Sequence, residues 1–384
     1  MTAVRRSGGR AVGTTALAAV LLTASPPDRL AAQDSQFGIR GLGMPGRFET
    51  VRARATGGAF APFDAMSPLM EAQLGDVPRL TATAMGGTSY RDADLDGRTT
   101  SLRTTRFPVL GFAQPVFRRL ILSGSYSTYL DKSWRVTIRD SMVLRGTMQP
   151  YTDDILSDGG VADLRVAAAA RVSAHLAVGV GVHLLSGSAR MAALRTFDAV
   201  GGDTLYQPLL QREDVRYTGL GVSGSALAVL GSRLRLAAFA RADNRLRAWG
   251  GGGDQPASEA DLPSAVGGAV GWWPSPSARF AAAVAWRSWS RAGPNAFNTV
   301  SWSAGAELGG AFSPVRLGVR GGRLPFGPGA TAPKELGFAV GTGMAFSQGR
   351  ALLDVGVEHL RRTGSGGGLT ERVWTFLAGL TIRP

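Results

Sequence analysis

The sequence contains no cysteine, which excludes disulfides, thiolate metal centres and thiol nucleophiles. Histidine is nearly absent as well. Only His175, His183 and His359 occur, so a metal site or a Ser-His-acid site would have to be assembled from a very small stock. Lysine is limited to Lys132 and Lys334, against a large number of arginines. No run of about 18 apolar residues follows the amino terminus, so a helical membrane span is not expected. Long helices are disfavoured too, because 53 of the 384 residues are glycine.

What the chain does have is alternation. In 334–346, Leu336, Phe338, Val340, Thr342, Met344 and Phe346 alternate with Glu335, Gly337, Ala339, Gly341 and Gly343. The pattern recurs in 350–361, where Leu353, Val355 and Val357 oppose Asp354, Gly356 and Glu358, and again in 371–383. Strand side chains point to opposite faces with period two. One face is apolar and the other small or charged, as in a barrel wall between lipid and a polar lumen. About fourteen such segments are expected, at 80–90, 102–114, 119–130, 160–172, 175–186, 215–230, 233–245, 262–273, 278–289, 299–312, 314–324, 334–347, 350–361 and 371–383. Their connections alternate between short turns and long polar stretches such as 91–101, 131–159 and 187–214. That alternation is typical of an outer-membrane barrel with turns on one side and loops on the other. Residues 371–383 must pair with 80–90 to close the ring, since lipid tolerates no open sheet edge.

Residues 1–32 read as a secretory signal peptide. Arg5, Arg6 and Arg10 precede the apolar stretch Ala11 to Ala24, and Ala31 and Ala32 are small residues before Gln33. The expected order is therefore signal 1–32, plug segment 33–79 and barrel 80–384. The net charge of +14 would ordinarily raise nucleic acid as a partner. Export and the dispersed placement of the arginines argue against it, so no nucleic acid is expected. Contacts with anionic lipid head groups account for such charge more simply. The expected partners are outer-membrane lipid, a small hydrophobic or amphipathic ligand and the barrel-assembly machinery, with the chain acting as a monomer.

The segment 33–79 loses the alternation and is broken by glycine and proline; a short helix over 65–74 is the one regular element expected there. Its Arg54-Ala55-Thr56-Gly57-Gly58-Ala59-Phe60-Ala61-Pro62-Phe63-Asp64 is similar to the plug block of FadL-like long-chain fatty acid and hydrocarbon transporters of the outer membrane. Glu335 through Phe346, Leu353-Asp354 and Glu371 through Leu380 resemble the closing strands of the same family. The family's Asn-Pro-Ala-Gly-Leu motif is absent, with Met70-Glu71-Ala72-Gln73-Leu74 in that region, and Pro384 stands where an aromatic residue is common. The resemblance implies a fourteen-stranded barrel with an amino-terminal plug and passive uptake of fatty-acid-like molecules. A structural or secretion-associated barrel is the alternative; a hydrolase would need histidine, serine and acid to converge.

Strand phase turns Arg165, Arg171, Arg235, Arg241, Arg287, Arg316 and Arg320 toward the lumen, with Asp163, Glu307, Glu335, Asp354 and Glu358. These read first as structural charge pairs. With apolar plug residues beside them they would hold an amphiphile by its anionic end. The substrate-binding candidates are Phe60, Phe63, Met66, Leu69, Arg165, Arg287 and Arg320. No catalytic residue, metal or cofactor is expected. Glycines within strands, such as Gly179, Gly181, Gly341 and Gly343, lack the strand–turn–helix setting of a phosphate loop and read as points of close approach. Gly86-Gly87 and Gly124 are candidate kinks for an opening in the wall.

Overall fold

Period-two alternation is realised directly in the strand Leu176–Phe197. Leu176, Val178, Val180, Val182 and Leu184 are exposed, while Ala177, Gly179, Gly181, His183 and Leu185 are buried. The burial is inverted relative to a soluble protein, with Val166 and Phe107 each 69% exposed and arginine and glutamate in the interior. The computed structural model describes residues 35–384 apart from 40, 96–97, 199–205, 251–255, 311 and 366–367. The signal segment 1–32 lies outside the described residues.

Fourteen strands form the ring: β1 (Thr81–Leu95), β2 (Arg98–Phe117), β3 (Leu120–Asp131), β4 (Thr147–Arg171), β5 (Leu176–Phe197), β6 (Leu209–Leu230), β7 (Leu234–Asp243), β8 (Ala265–Ser275), β9 (Ala278–Arg287), β10 (Thr299–Leu308), β11 (Val315–Arg323), β12 (Lys334–Phe346), β13 (Ala351–Thr363) and β14 (Leu369–Ile382). Each pairs antiparallel with its sequence neighbours. The ring closes between β14 and β1, in a register running from Leu369↔Leu95 to Ile382↔Ala82. No helix among the described residues is long and apolar enough to cross a membrane.

Several stretches expected to be long loops are strand. β1 and β2 stay paired from Tyr90↔Arg103 to Leu95↔Arg98, across most of 91–101. β4, β5 and β6 likewise extend through 147–159, 187–197 and 209–214, and a hairpin strand, Trp134–Leu144, pairs with β4. Alternation disappears in these parts because neither face meets lipid, yet the backbone ladder continues. Cross-strand polar pairs take over: Ser101 donates to Asp92 at 2.6 Å and Arg195 to Asp153 at 2.7 Å.

Residues 35–79 run along the inner face of the sheet. Their one α-helix, α1 (Val51–Ala55), is capped by the Thr50 hydroxyl, which accepts from the Ala53 N–H, and it packs against β11–β14. The helix expected over 65–74 does not form. Pro68 removes an N–H and disfavours helical backbone at Ser67, so 65–70 are turns and only the 3₁₀ segment Ala72–Asp76 is regular. Asp64 accepts from the Met66 N–H of a turn at 3.2 Å. The wall leaves room for this segment by omitting side chains. A Cβ on Gly341 would stand 2.6 Å from the Ala55 Cβ, and one on Gly179 would stand 2.5 Å from the Glu71 Cβ.

Candidate functional site

The inward charges form a continuous set of pairs between wall and segment 35–79. Glu358 accepts from Arg47 at 2.6 Å and also from Arg54. Glu307 accepts from Arg52 at 2.8 Å and from Arg316 at 2.9 Å, and Arg316 reaches on to Asp354 at 2.6 Å. Arg171 and Arg235 share Asp76, at 2.9 and 3.0 Å. Unpaired charge in this water-poor interior would cost several kcal/mol, so pairing is what makes the arginine-rich lumen tolerable. Sequence phase gave the wall residues. It did not give their partners, since Arg47, Arg52, Arg54, Glu71 and Asp76 lie in a stretch without periodicity.

Glu71 is the centre of one cluster. It accepts from Arg165 at 3.2 Å, from Ser223 at 2.6 Å and from Ser225 at 2.7 Å. Burial pushes its carboxyl up, but Arg165 and the two hydroxyls outweigh that and hold it below the usual carboxylate range. Ser223 also lies 2.8 Å from His183 Nε2, and His183 Nδ1 lies 2.9 Å from Asp163. Serine, histidine and acid thus converge, from the small stock of histidines the sequence offers. The signal was available, because Asp163, His183 and Ser223 all have inward phase, but strand register was needed to bring them together. The arrangement suits a latch better than acyl transfer. Ser223 has a single proton to donate, Glu71 accepts it at 2.6 Å, and a carboxylate at that distance would repel a developing oxyanion.

The seven candidate binding residues do not converge. Phe60 and Phe63 pack on Trp273, with ring centroids 6.1 and 5.3 Å apart, and fill space instead of lining it. Met66 lies in a different cluster with Leu74, Ala113 and Ile121. Arg165 is taken by Glu71, and Arg320 donates to Glu335 at 2.8 Å. Leu69 and Arg287 do meet, in two adjoining cavities of ≈60 and ≈50 Å³ that also share Phe48 and Phe239. Arg320 lines the first of these. Of the seven inward arginines, Arg287 alone has no ion-pair or hydrogen-bond partner among the described residues. The aromatic residues near strand ends divide similarly. Trp272, Trp286, Trp302 and Trp374 face outward, whereas Trp289 is buried against Phe326 and Tyr129 donates inward to Asp243 at 2.8 Å.

The wall itself is interrupted between β2 and β3. Their backbone ladder stops at Val109↔Ser127, so residues 98–108 of β2 have no ladder partner in β3, although the Arg106 side chain crosses the break to Asp131 at 2.5 Å and donates to Ser133 at 3.1 Å. Pro108 stands at the break, where it has no N–H to offer, and the β1–β2 ladder shifts register beside it between Met85 and Gly87. The irregularity expected at Gly86-Gly87 is therefore present. Gly124 is no kink, because it stays paired with Phe112 and Val166. The edge that β2 abandons is met from inside by Met44–Pro45, in register with Asp131 and Leu130, and the Gly46 N–H donates to the Tyr129 carbonyl at 2.8 Å. Outside the break lies a cleft of ≈850 Å³ walled by the outward-facing Phe107, Leu110, Tyr126 and Leu164. Inside lies a cavity of ≈110 Å³ against Met44, Pro45 and Arg54. The two share Thr104, Arg106 and Thr128.

No family model and no curated protein matches the sequence. Solved structures do. A Pseudomonas aeruginosa FadL homologue is 13% identical, with 89% of this chain and 99% of that chain covered at a TM-score of 0.61. The CymD monoaromatic hydrocarbon channel is 13% identical, covering 90% and 99% at 0.55. The Pseudomonas putida toluene transporter TodX is 11% identical, covering 88% and 98% at 0.56. Both ends of the sequence, the strand count, the closure and these neighbours agree: the protein is a fourteen-stranded barrel of the FadL-like fold.

Proposed function

We propose that this chain is a bacterial outer-membrane channel for passive uptake of small hydrophobic or amphipathic molecules, with 33–79 as its plug. The observation that carries the reading is the break between β2 and β3, where an outward apolar cleft and an inner cavity share Thr104, Arg106 and Thr128. A solute that partitions into lipid gains nothing from a water-filled pore. A lateral exit lets it pass between lumen and bilayer without crossing the polar rim. The structural neighbours named as a toluene transporter and a monoaromatic hydrocarbon channel support the same class of solute. Insertion by the barrel-assembly machinery and action as a monomer belong to this reading.

The inner cavity is small, so passage requires movement of 44–46 away from the β3 edge. Two backbone pairings and one N–H donor hold that contact, a modest barrier compared with the charge pairs further along the segment. The test is uptake of a fluorescent fatty acid and of toluene by liposomes holding the full chain. Thr128→Trp, which places an indole in the shared passage, is expected to reduce flux of both at least tenfold (about 1.4 kcal/mol on the barrier). Leu380→Trp, on the lipid face elsewhere, should leave flux unchanged. Equal flux through wild type and Thr128→Trp, with both folded by heat-modifiable electrophoretic mobility, would rule out the lateral route.

A further inference from the structure

The outer face carries a feature that uptake does not use. At the loop-side ends of the consecutive strands β11, β12, β13 and β14, the side chains of Arg323, Lys334, Arg361 and Arg372 all point outward and are exposed. Register sets them side by side: Arg323 opposite Lys334, Arg361 opposite Arg372, and Leu336 opposite Arg361. None of the four has an ion-pair or hydrogen-bond partner among the described residues. The acids on the neighbouring strand, Asp92 across from Arg372 and Asp94 two residues further on, accept from Ser101 and Thr99. Their inward neighbours behave in the opposite way. Arg320 and Arg362 both donate to Glu335 at 2.8 Å.

The position of this basic row relative to lipid is marked by the row beneath it. Phe338, His359 and Trp374 lie one step further from the loops and form a ring stack, with centroids 5.2 Å apart for the first pair and 4.3 Å for the second. Such aromatic rows mark the level of the headgroups. Between basic row and wall opens a groove of ≈520 Å³, with Val300, Trp302 and Leu336 as its apolar side and Arg323, Lys334 and Arg361 as its charged side. Four cations at headgroup height, none ion-paired among the described residues and with the lining residue Glu335 engaged inward by Arg320 and Arg362, are complementary to a multiply charged anion. The groove beneath them is complementary to a hydrocarbon chain.

We infer that this groove is a binding site for a phosphorylated glycolipid of the surrounding leaflet. Its phosphate is held by Arg323, Lys334 and Arg361, and one acyl chain lies against Trp302 and Leu336. Arginine provides the planar, paired donors that fit phosphate oxygens, and lysine adds a point charge. The inference rests on the barrel lying in a membrane and not on what passes through its lumen.

The experiment uses the full chain, purified in detergent and offered bisphosphorylated lipid A, its dephosphorylated form, phosphatidylcholine or inorganic phosphate, with retention read by native mass spectrometry. Bisphosphorylated lipid A is expected to be retained at least about tenfold more strongly than dephosphorylated lipid A or the zwitterionic phosphatidylcholine, neither of which carries net headgroup charge. The triple variant Arg323→Gln, Lys334→Gln, Arg361→Gln is expected to lose that preference, while Arg323→Lys with Arg361→Lys keeps most of it. Arg139→Gln with Arg212→Gln, exposed charges away from the groove, should change nothing. Hydrophobic uptake by the triple variant should match wild type, which separates this inference from the lumen route. Equal retention of phosphorylated and dephosphorylated lipid would overturn the inference. So would full retention by the folded triple variant, or displacement of the lipid by millimolar-range inorganic phosphate alone.

Discussion

Two quarters of the barrel meet the same inner segment in opposite ways. Along β11–β14 the helix α1 lies directly on the wall. Gly341 gives it room, and Arg47 and Arg54 converge on Glu358 while Arg52 reaches Glu307. Along β2–β3 the backbone ladder stops at Val109 and Ser127, and at that break the segment meets the open edge through Met44–Pro45 and Gly46. One quarter is sealed by buried charge pairs, which are costly to break. The other is closed by a few backbone hydrogen bonds and one partly exposed ion pair, Arg106–Asp131, which cost less to break. The difference teaches where this barrel can open. Motion is expected where ordering is cheapest to undo, and the charge pairs keep the remainder of the segment in place.

The comparison breaks most visibly if Glu358 is removed. Glu358→Ala leaves Arg47 and Arg54 buried around a lost carboxylate. It is expected to destabilise the barrel by about 3–5 kcal/mol, read as a lowered midpoint of urea unfolding in lipid vesicles. Gly341→Leu comes next. Its side chain would enter space held by Ala55 and the Val355 carbonyl, 2.6 and 2.7 Å from a Cβ. A cost of about 1–3 kcal/mol is expected, with faster proteolysis within 47–58. The smallest effect belongs to the open quarter. Pro108→Ala restores an N–H where no β3 partner is in register, so stability should change by less than about 1 kcal/mol. A large loss from Pro108→Ala, or none from Glu358→Ala, would erase the distinction between the quarters.

Much of this was legible from alternation. The strands were placed where they occur because a wall between lipid and a polar lumen imposes period two along every strand. The ends of β1, β2, β4, β5 and β6 were placed short because that constraint lapses above the membrane, where Asp92, Ser101, Asp153 and Arg195 pair across strands without an apolar face. The helix assigned to 65–74 was lost to Pro68, and α1 formed at 51–55, where Thr50 supplies a cap.

The candidate site was less legible. Leu69 and Arg287 share cavities as expected, but Phe60 and Phe63 are occupied by Trp273 and Arg165 by Glu71. Which partner a side chain takes depends on register and on the path of an aperiodic segment, and neither has a local signature.

The sequence by itself determined the fold class, the number of strands, the direction each side chain faces and the ring closure between β14 and β1, because alternation and connection length are local properties. Only the tertiary structure decided that β2 and β3 part at Pro108, that Asp163, His183, Ser223 and Glu71 converge, and that four cations line up unpaired on the outer face. Each of these depends on how strands from distant parts of the chain are set against one another. A shift of a single residue would reverse every face involved, and no single stretch of sequence contains that information.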